Sequence, residues 1–336
     1  MIRAPRHLLH VGGPSTLSSL GTFVEIFLQA LAAGILIGAI YGLMCVGLGI
    51  IFGVMRVINF AQGEFLMLGM YFTFYLVTSF GVLALLGPVV GPYTGALLAG
   101  PALFFVGYAL HRFLISRVTG VNVAGTEGEG HYVQLILTLG VALVLQNGGL
   151  ILFGSTPELV RTPLSSRAWE IPLLYDETAS LFLNKARMVS GAVSIVVAAA
   201  LYWLVNYSRL GKTLRAAADN AQAAIYMGID VDRAHRIAFG IGTGVTAIAG
   251  GLVATYNPFQ PYIGLDFVII MYAGVVLGGM GSILGAFWGG MTIGLVQQLS
   301  TLVLPVQLQN AAIFAVFLLI VLVRPQGLFG RAAERI

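Results

Sequence analysis

Long apolar runs alternate with short polar connections along the whole chain. Eight runs stand out, at 23–54, 65–86, 88–110, 133–153, 188–207, 237–256, 267–300 and 303–323. They hold 193 residues and one charged side chain, Glu25, while the other 29 Asp, Glu, Lys and Arg residues fall in the remaining 143 positions. A helix needs about 20 apolar residues to cross the hydrocarbon core of a bilayer. The pattern therefore predicts an all-α polytopic membrane protein with about eight membrane segments, and up to ten where a run is broken or re-entrant.

The polar connections orient the runs. Ser208–Arg236 carries Arg209, Lys212, Arg215, Arg233 and Arg236 against Asp219, Asp230 and Asp232. The tail carries Arg324, Arg331 and Arg335 against Glu334. Basic residues close to helix ends are retained on the cytoplasmic side, so both connections are expected there, as are Arg112 and Arg117. The 154–187 connection balances four basic residues (Arg161, Arg167, Lys185, Arg187) against four acidic ones (Glu158, Glu170, Asp176, Glu177) and suits the outer side. Parity then constrains the 267–300 run. Its neighbours start outside and finish inside, so it must supply an even number of crossings. As one helix its 34 residues would span about 50 Å, and the expected break falls at Gly278-Gly279-Met280-Gly281-Ser282. The 23–54 run is equally long but lacks a clear breaker, so one tilted helix and a broken pair both remain open.

Composition agrees and excludes other classes. Hydrophobic residues make up 58% of the 336 and charged residues 9%, against about 25% charged in soluble domains. The single cysteine, Cys45, lies inside a run, so neither an internal disulfide nor a thiolate metal site is expected. The net charge of +4 is scattered between runs, which fits lipid headgroups rather than nucleic acid. Residues 1–22 are basic, are interrupted by Gly12-Gly13-Pro14 and lack the apolar core of a signal peptide. They are expected to be an N-terminal extension to a membrane domain at 23–330, which contains the 208–236 loop and precedes a 331–336 tail.

Within the runs, glycines recur every four residues: Gly34, Gly38 and Gly42; Gly240 and Gly244; Gly274 and Gly278; Gly290 and Gly294. Small residues at this spacing let helices approach closely, and packing within one bundle is expected. Polar residues are sparse and neutral: Gln146-Asn147, Thr243 with Thr246, Gln297-Gln298 and Gln309-Asn310. Such residues hydrogen-bond between helices or line a wet path, and both roles stay open. With Gly278, Gly279 and Gly281 at the break, Gln146, Asn147, Thr243, Thr246, Gln297 and Gln298 are the candidate pathway residues. No ionisable residue is expected at mid-membrane. An ion-gradient carrier would need one there, so the driving energy is expected from another subunit.

Two motifs mislead. Asn206–Thr213 nearly matches a phosphate-binding loop, but Asn stands in the first glycine position and the stretch follows a membrane helix rather than a strand. The histidines at 7, 10, 111, 131 and 235 have no metal-ligand spacing, and nothing pairs a nucleophile with a base. No enzyme activity, cofactor or metal is expected in this chain. The 212–228 stretch, by contrast, is rich in alanine, with Gly228 as a stop. It predicts one short helix with Leu214, Ala217, Ala221, Ala224, Ile225 and Gly228 near a single face, resting on lipid or on a partner. Asn59 is expected to cap a helix starting near Phe60, with Glu64 in its first turns; a gating or subunit-contact role for this stretch is the alternative.

Five motifs occur together and in order: Asn59-Phe60-Ala61-Gln62-Gly63-Glu64, the 212–228 loop, Pro261-Tyr262-Ile263-Gly264, Val276–Ser282 and Arg324–Gly330. From about Phe23 to Gly330 the chain resembles the branched-chain amino acid permeases of ATP-binding-cassette importers, in their shorter, LivH-like form. The resemblance implies the importer permease fold and half of a translocation channel. It also implies a second, LivM-like permease, two cytoplasmic ATPases that bind ATP and Mg, and a periplasmic solute-binding protein. The 212–228 stretch would be the coupling helix, with Leu214, Arg215, Ala217, Ala218, Asp219, Ala221, Ala224, Ile225 and Gly228 as docking residues. Asn59, Gln62, Gly63 and Glu64 would be signature residues, and the resemblance does not choose between the capping role and a gating or subunit-contact role for them. The chain departs from the family pattern at Gln62, where His is common, and at Ala216-Ala217-Ala218, where importers carry Glu-Ala-Ala. Its N-terminal extension is longer than usual for the type and its tail is short. Importers of urea, short-chain amides or aromatic acids share the motifs and are the alternative substrate classes.

Overall fold

The structure, a computed structural model, describes residues 16–79, 81, 86–119, 129–172, 180–324 and 326–329. Each apolar run yields helix. The first is the unbroken α1 (Thr16–Met55), which decides for one helix over a broken pair and reaches back into the expected extension. Then follow α2 (Gln62–Thr78) and α3 (Gly87–Leu110), which passes through a π-turn at His111–Ile115 into α4 (Ser116–Thr119). After α5 (Glu129–Phe153) come strands β1 (Ala168–Pro172) and β2 (Ser180–Asn184), then α6 (Lys185–Tyr207), α7 (Arg209–Asp219), α8 (Ala221–Tyr226) and α9 (Val231–Val253). The chain closes with α10 (Ile263–Gly278), α11 (Ile283–Ser300) and α12 (Gln309–Val323).

Among the described residues five helical stretches are long and apolar enough to cross a membrane: Thr22–Met55, Gly87–Ile115, Val133–Phe153, Lys185–Tyr207 and Val231–Val253. The helices α2, α10, α11 and α12 have 17, 16, 18 and 15 residues. At 1.5 Å per residue these are roughly 22–27 Å long, short of the hydrocarbon core. The all-α expectation is corrected at one place. Ala168–Pro172 and Ser180–Asn184 pair as a two-stranded antiparallel ribbon, with Trp169 opposite Leu183 and Ile171 opposite Leu181. Its short alternation of apolar and polar residues lay inside a connection otherwise marked by prolines and balanced charge.

Close contacts give the helix directions. Gly34, Gly38 and Gly42 of α1 meet Leu295, Met291 and Phe287 of α11, so these two run antiparallel. Gly47 meets Thr246 and Ile51 meets Gly242, so α1 is also antiparallel to α9. Ala96, Gly100 and Phe104 of α3 meet Gly251, Gly244 and Gly240, a third antiparallel pair. The α1 start lies beside the ribbon, where the Phe182 N–H donates to Gln29 Oε1 at 3.0 Å. The opposite end holds α7 and α8. The four-residue glycine series therefore serves packing within this chain, as expected. A β-carbon at Gly38 would lie 2.7 Å from the Met291 carbonyl oxygen, so only glycine admits that helix separation. Of the most apolar part of α1, 83% is buried inside the protein, against 28% for α5. The bundle is thus organised around α1 and α9, with α5 and α6 at its edge.

The 267–300 run breaks where parity required. Gly279 and Gly281 take φ of 100° and 94°, backbone that side chains other than glycine rarely adopt. The α10 helix runs parallel to α1, with Phe267 against Tyr41 and Met271 against Cys45. The α11 helix returns, and α12 brings the tail back to the end of α10, where the Leu328 N–H donates to the Leu277 carbonyl at 2.8 Å.

Candidate functional site

The connection between α1 and α2 is short and largely buried. Arg56 adopts a φ of 54°, turning the chain at the end of α1. From there Val57, Asn59 and Ala61 are buried while Arg56 and Ile58 are exposed. The next helix starts at Gln62, already beside Gly242 and Thr246 in the middle of α9. The Gln62 amide donates to the Gly242 carbonyl at 3.1 Å and to Thr246 Oγ1, and its oxygen accepts from Asn59 Nδ2 at 3.0 Å. On the other flank, the Phe60 N–H donates to Thr138 Oγ1 of α5, and that hydroxyl faces the Ile58 carbonyl, both at 3.3 Å. Asn59, Gln62, Thr246 and Thr138 thus tie α2, α9 and α5 together, each group satisfied inside the protein.

Two expectations change here. Asn59 does not cap a helix starting at Phe60: the N-cap of α2 is Ala61, without a side-chain bond, and Asn59 Oδ1 instead accepts the Ala61 N–H at 3.2 Å. A non-helical stretch at 56–59 and a turn at Phe60-Ala61 precede α2, which starts two residues later than expected. Glu64 does lie in the first turn of α2, but that turn is inside the bundle, and Glu64 is 1% exposed. The expectation that the spans lack a buried ionisable side chain is therefore corrected. Its Oε2 has no hydrogen-bond partner. Gly264, in the first turn of α10, faces it: a β-carbon there would lie 2.6 Å from Glu64 Oε1. Gly63 packs on the Gly264 backbone, where a β-carbon would lie 2.0 Å from the carbonyl oxygen. The Asn59–Glu64 and Pro261–Gly264 motifs meet at this seam.

A second pair of motifs meets at the α10–α11 turn. Gly327 lies against Gly279, and the Phe329 N–H donates to the Gly278 carbonyl at 3.2 Å. Pro325 and Gly330 lie outside the described residues, as do 1–15 and the 331–336 tail.

The candidate pathway residues are not gathered into one lining. Thr243 is fully buried and donates toward the Leu103 and Gly240 carbonyls, joining α9 to α3. Thr246 belongs to the Gln62 network. Gln146 is buried on α5, while its neighbour Asn147 is exposed and donates to the Leu143 carbonyl at 2.7 Å. Gln297 accepts from the Tyr41 hydroxyl at 2.9 Å, Gln298 is half-buried, and Gly281 is exposed where Gly278 and Gly279 are buried.

The 208–236 loop differs from the single helix expected at 212–228. Asn220, with φ −151° and ψ 102°, ends α7 and caps α8 by accepting the Ala223 N–H at 3.0 Å. Asparagine competes with helix by bonding the backbone locally, and here it makes a corner. Ser208 caps α7 from the Gly211 N–H in the same way. The expected face divides: Leu214, Ala217 and Ala224 are buried against this chain, Ala218 and Ala221 are half-buried, and Arg215, Asp219, Ile225 and Gly228 are exposed. Arg215 is held by the Asn206 carbonyl at 3.0 Å. The part of the loop that protrudes is Ile225-Tyr226-Met227, with Tyr226 88% and Met227 82% exposed. Three successive large apolar residues in a polar loop were a readable signal that attention to the alanine face missed.

The family model for the permease component of branched-chain amino acid transport systems matches residues 30–323. The high-affinity branched-chain amino acid transport system permease protein LivH of Escherichia coli K12 is 31% identical over 310 residues, 91% of this chain and 96% of its own. BraD of Pseudomonas aeruginosa, with the same description, is 28% identical over 308 residues, again 91% and 96%. The autoinducer 2 import permease LsrC of Photorhabdus luminescens is 29% identical over 178 residues, 46% of this chain and 53% of its own. No solved structure matches. The matched span runs from within α1 to the end of α12 and includes the seam where Gly63 meets Gly264, and the chain belongs to the branched-chain amino acid transport system permease family.

Proposed function

We propose that this chain is the shorter membrane permease of an ATP-driven importer for branched-chain or closely related amino acids, in the cytoplasmic membrane of a bacterium. What carries this reading is the match, over nine-tenths of the chain, to permeases named for branched-chain amino acid transport. The loop end, with α7 and α8, faces the cytoplasm, because it gathers the basic residues. The start of α1 and the β-ribbon then face outward, toward a periplasmic solute-binding protein.

The chain forms half of the path, the other half coming from a longer LivM-like permease. Two cytoplasmic ATPases bind ATP and Mg and supply the energy. Their docking element is the Ile225-Tyr226-Met227 apex together with Arg215, Asp219 and Gly228. Large apolar side chains exposed to water mark a protein interface, and a self-contained carrier driven by an ion gradient has no use for one. That apex therefore favours the partnered scheme even though Glu64 is buried. The corner at Asn220 and the burial of Leu214, Ala217 and Ala224 make the element rigid, so a push on the apex reaches α6 and α9.

The test is ATP hydrolysis by the assembled complex in nanodiscs. Leucine-loaded binding protein should stimulate it, and binding protein offered urea or acetamide should not. Stimulation by urea or an amide but not by leucine would assign the chain to the related importers of those solutes.

A further inference from the structure

We propose that Glu64, at the seam of α2 and α10, receives the ammonium group of the transported amino acid as it passes through this chain. The proposal rests on the amino-acid reading above and deepens it. Glu64 is 1% exposed, lies among membrane helices and leaves Oε2 without a hydrogen-bond partner. A buried carboxyl without a partner is costly to keep, and the cost is unexplained by packing, because the neighbouring polar groups Asn59, Gln62 and Thr246 are satisfied by one another.

Its position also suits a charged ligand. The α2 helix starts inside the bundle, and the first turn of α10 meets that start at Gly63 and Gly264. Two helix N-termini, each the positive end of a dipole, therefore point into one place. Broken helices at membrane depth use such ends to hold the anionic group of a solute. A zwitterionic amino acid brings one group of each sign. The helix ends match its carboxylate and Glu64 matches its ammonium, so neither charge crosses the apolar interior unpaired. In the present conformation the seam is shut. Gly63 lies against the Gly264 backbone, Glu64 Oε1 faces Gly264, and the Phe60 and Tyr272 rings lie 5.6 Å apart nearby, so passage of a solute requires α2 and α10 to separate at these groups.

The experiment uses the complete complex in proteoliposomes, with leucine uptake and ATP hydrolysis measured on the same preparation. Glu64→Gln keeps the shape of the side chain and removes its charge. It should lower leucine uptake at least tenfold while stimulation of hydrolysis by loaded binding protein stays within twofold of wild type. Glu64→Asp, which keeps the charge, should recover a large part of the uptake. Uptake by Glu64→Gln within threefold of wild type overturns the proposal. So does a parallel loss of uptake and hydrolysis, which would make Glu64 a structural or coupling residue. The wild-type measurement tests the underlying function separately: a wild-type complex that imports no amino acid refutes that reading, and this site with it.

Discussion

Replacing Gln62 by leucine tests whether the polar cluster at the α1–α2 connection holds the fold together. Leucine is close in size, so the change removes hydrogen bonds rather than volume. Three bonds are lost: those to the Gly242 carbonyl and Thr246 Oγ1, and the one from Asn59 Nδ2. Interhelical hydrogen bonds in membrane proteins average about 0.6 kcal/mol, which gives about 2 kcal/mol for the three. Asn59 Nδ2 is left buried and unpaired at a cost of about 1–3 kcal/mol, part of which is already included in its lost bond. The expected destabilisation is therefore about 2–4 kcal/mol, or roughly 4–8 °C in Tm at about 2 °C per kcal/mol for a large chain. Thermal unfolding of the purified protein in mild detergent measures it. Gln62→His supplies an internal control, since a neutral imidazole offers one donor and one acceptor. It can keep the Asn59 bond and one of the two bonds to α9, and should lose less than half as much. A leucine variant as stable as wild type, or a histidine variant less stable than the leucine one, would refute the reasoning.

Other expectations concern packing and coupling. Gly38→Ala places a methyl group 2.7 Å from the Met291 carbonyl oxygen and should destabilise α1 against α11 by about 1–3 kcal/mol, read by the same thermal assay. Asn220→Ala removes the α8 cap and should cost about 1 kcal/mol; it should also weaken stimulation of the ATPases by straightening the corner. Tyr226→Ala with Met227→Ala alters exposed side chains and should change stability by less than about 0.5 kcal/mol. Co-purification of the ATPases with this double variant should nevertheless fall at least tenfold.

What the sequence disclosed followed from forces that act locally. The exclusion of charge from eight runs marked the helices, and charge between them, counted by parity, placed the break at Gly278–Ser282, where the structure has it. Glycine spacing marked the seams, because close approach in lipid demands small residues at fixed intervals. What stayed hidden depended on contacts between distant segments. Nothing around Glu64 indicates that α2 starts beside the middle of α9, and that depth, set by the non-helical connection from Arg56 to Ala61, is what buries the carboxyl. Nor does the alanine pattern of 212–228 show which side of the loop meets this chain: Leu214 and Ala217 turn inward, which leaves Tyr226 and Met227 outside. Thr243 and Thr246 likewise read as either path or packing until Leu103 and Gln62 were found beside them.

In the proposed scheme this chain provides a path for an amino acid while other subunits provide the energy. Leucine accumulation in proteoliposomes tests it most directly, comparing the chain alone with the complete complex, with ATP enclosed and an ionophore present to collapse ion gradients. ATP-dependent uptake by the complete complex, unchanged by the ionophore, is expected, and none by the chain alone. Ionophore-sensitive leucine accumulation by the isolated chain, without ATPases, would contradict it.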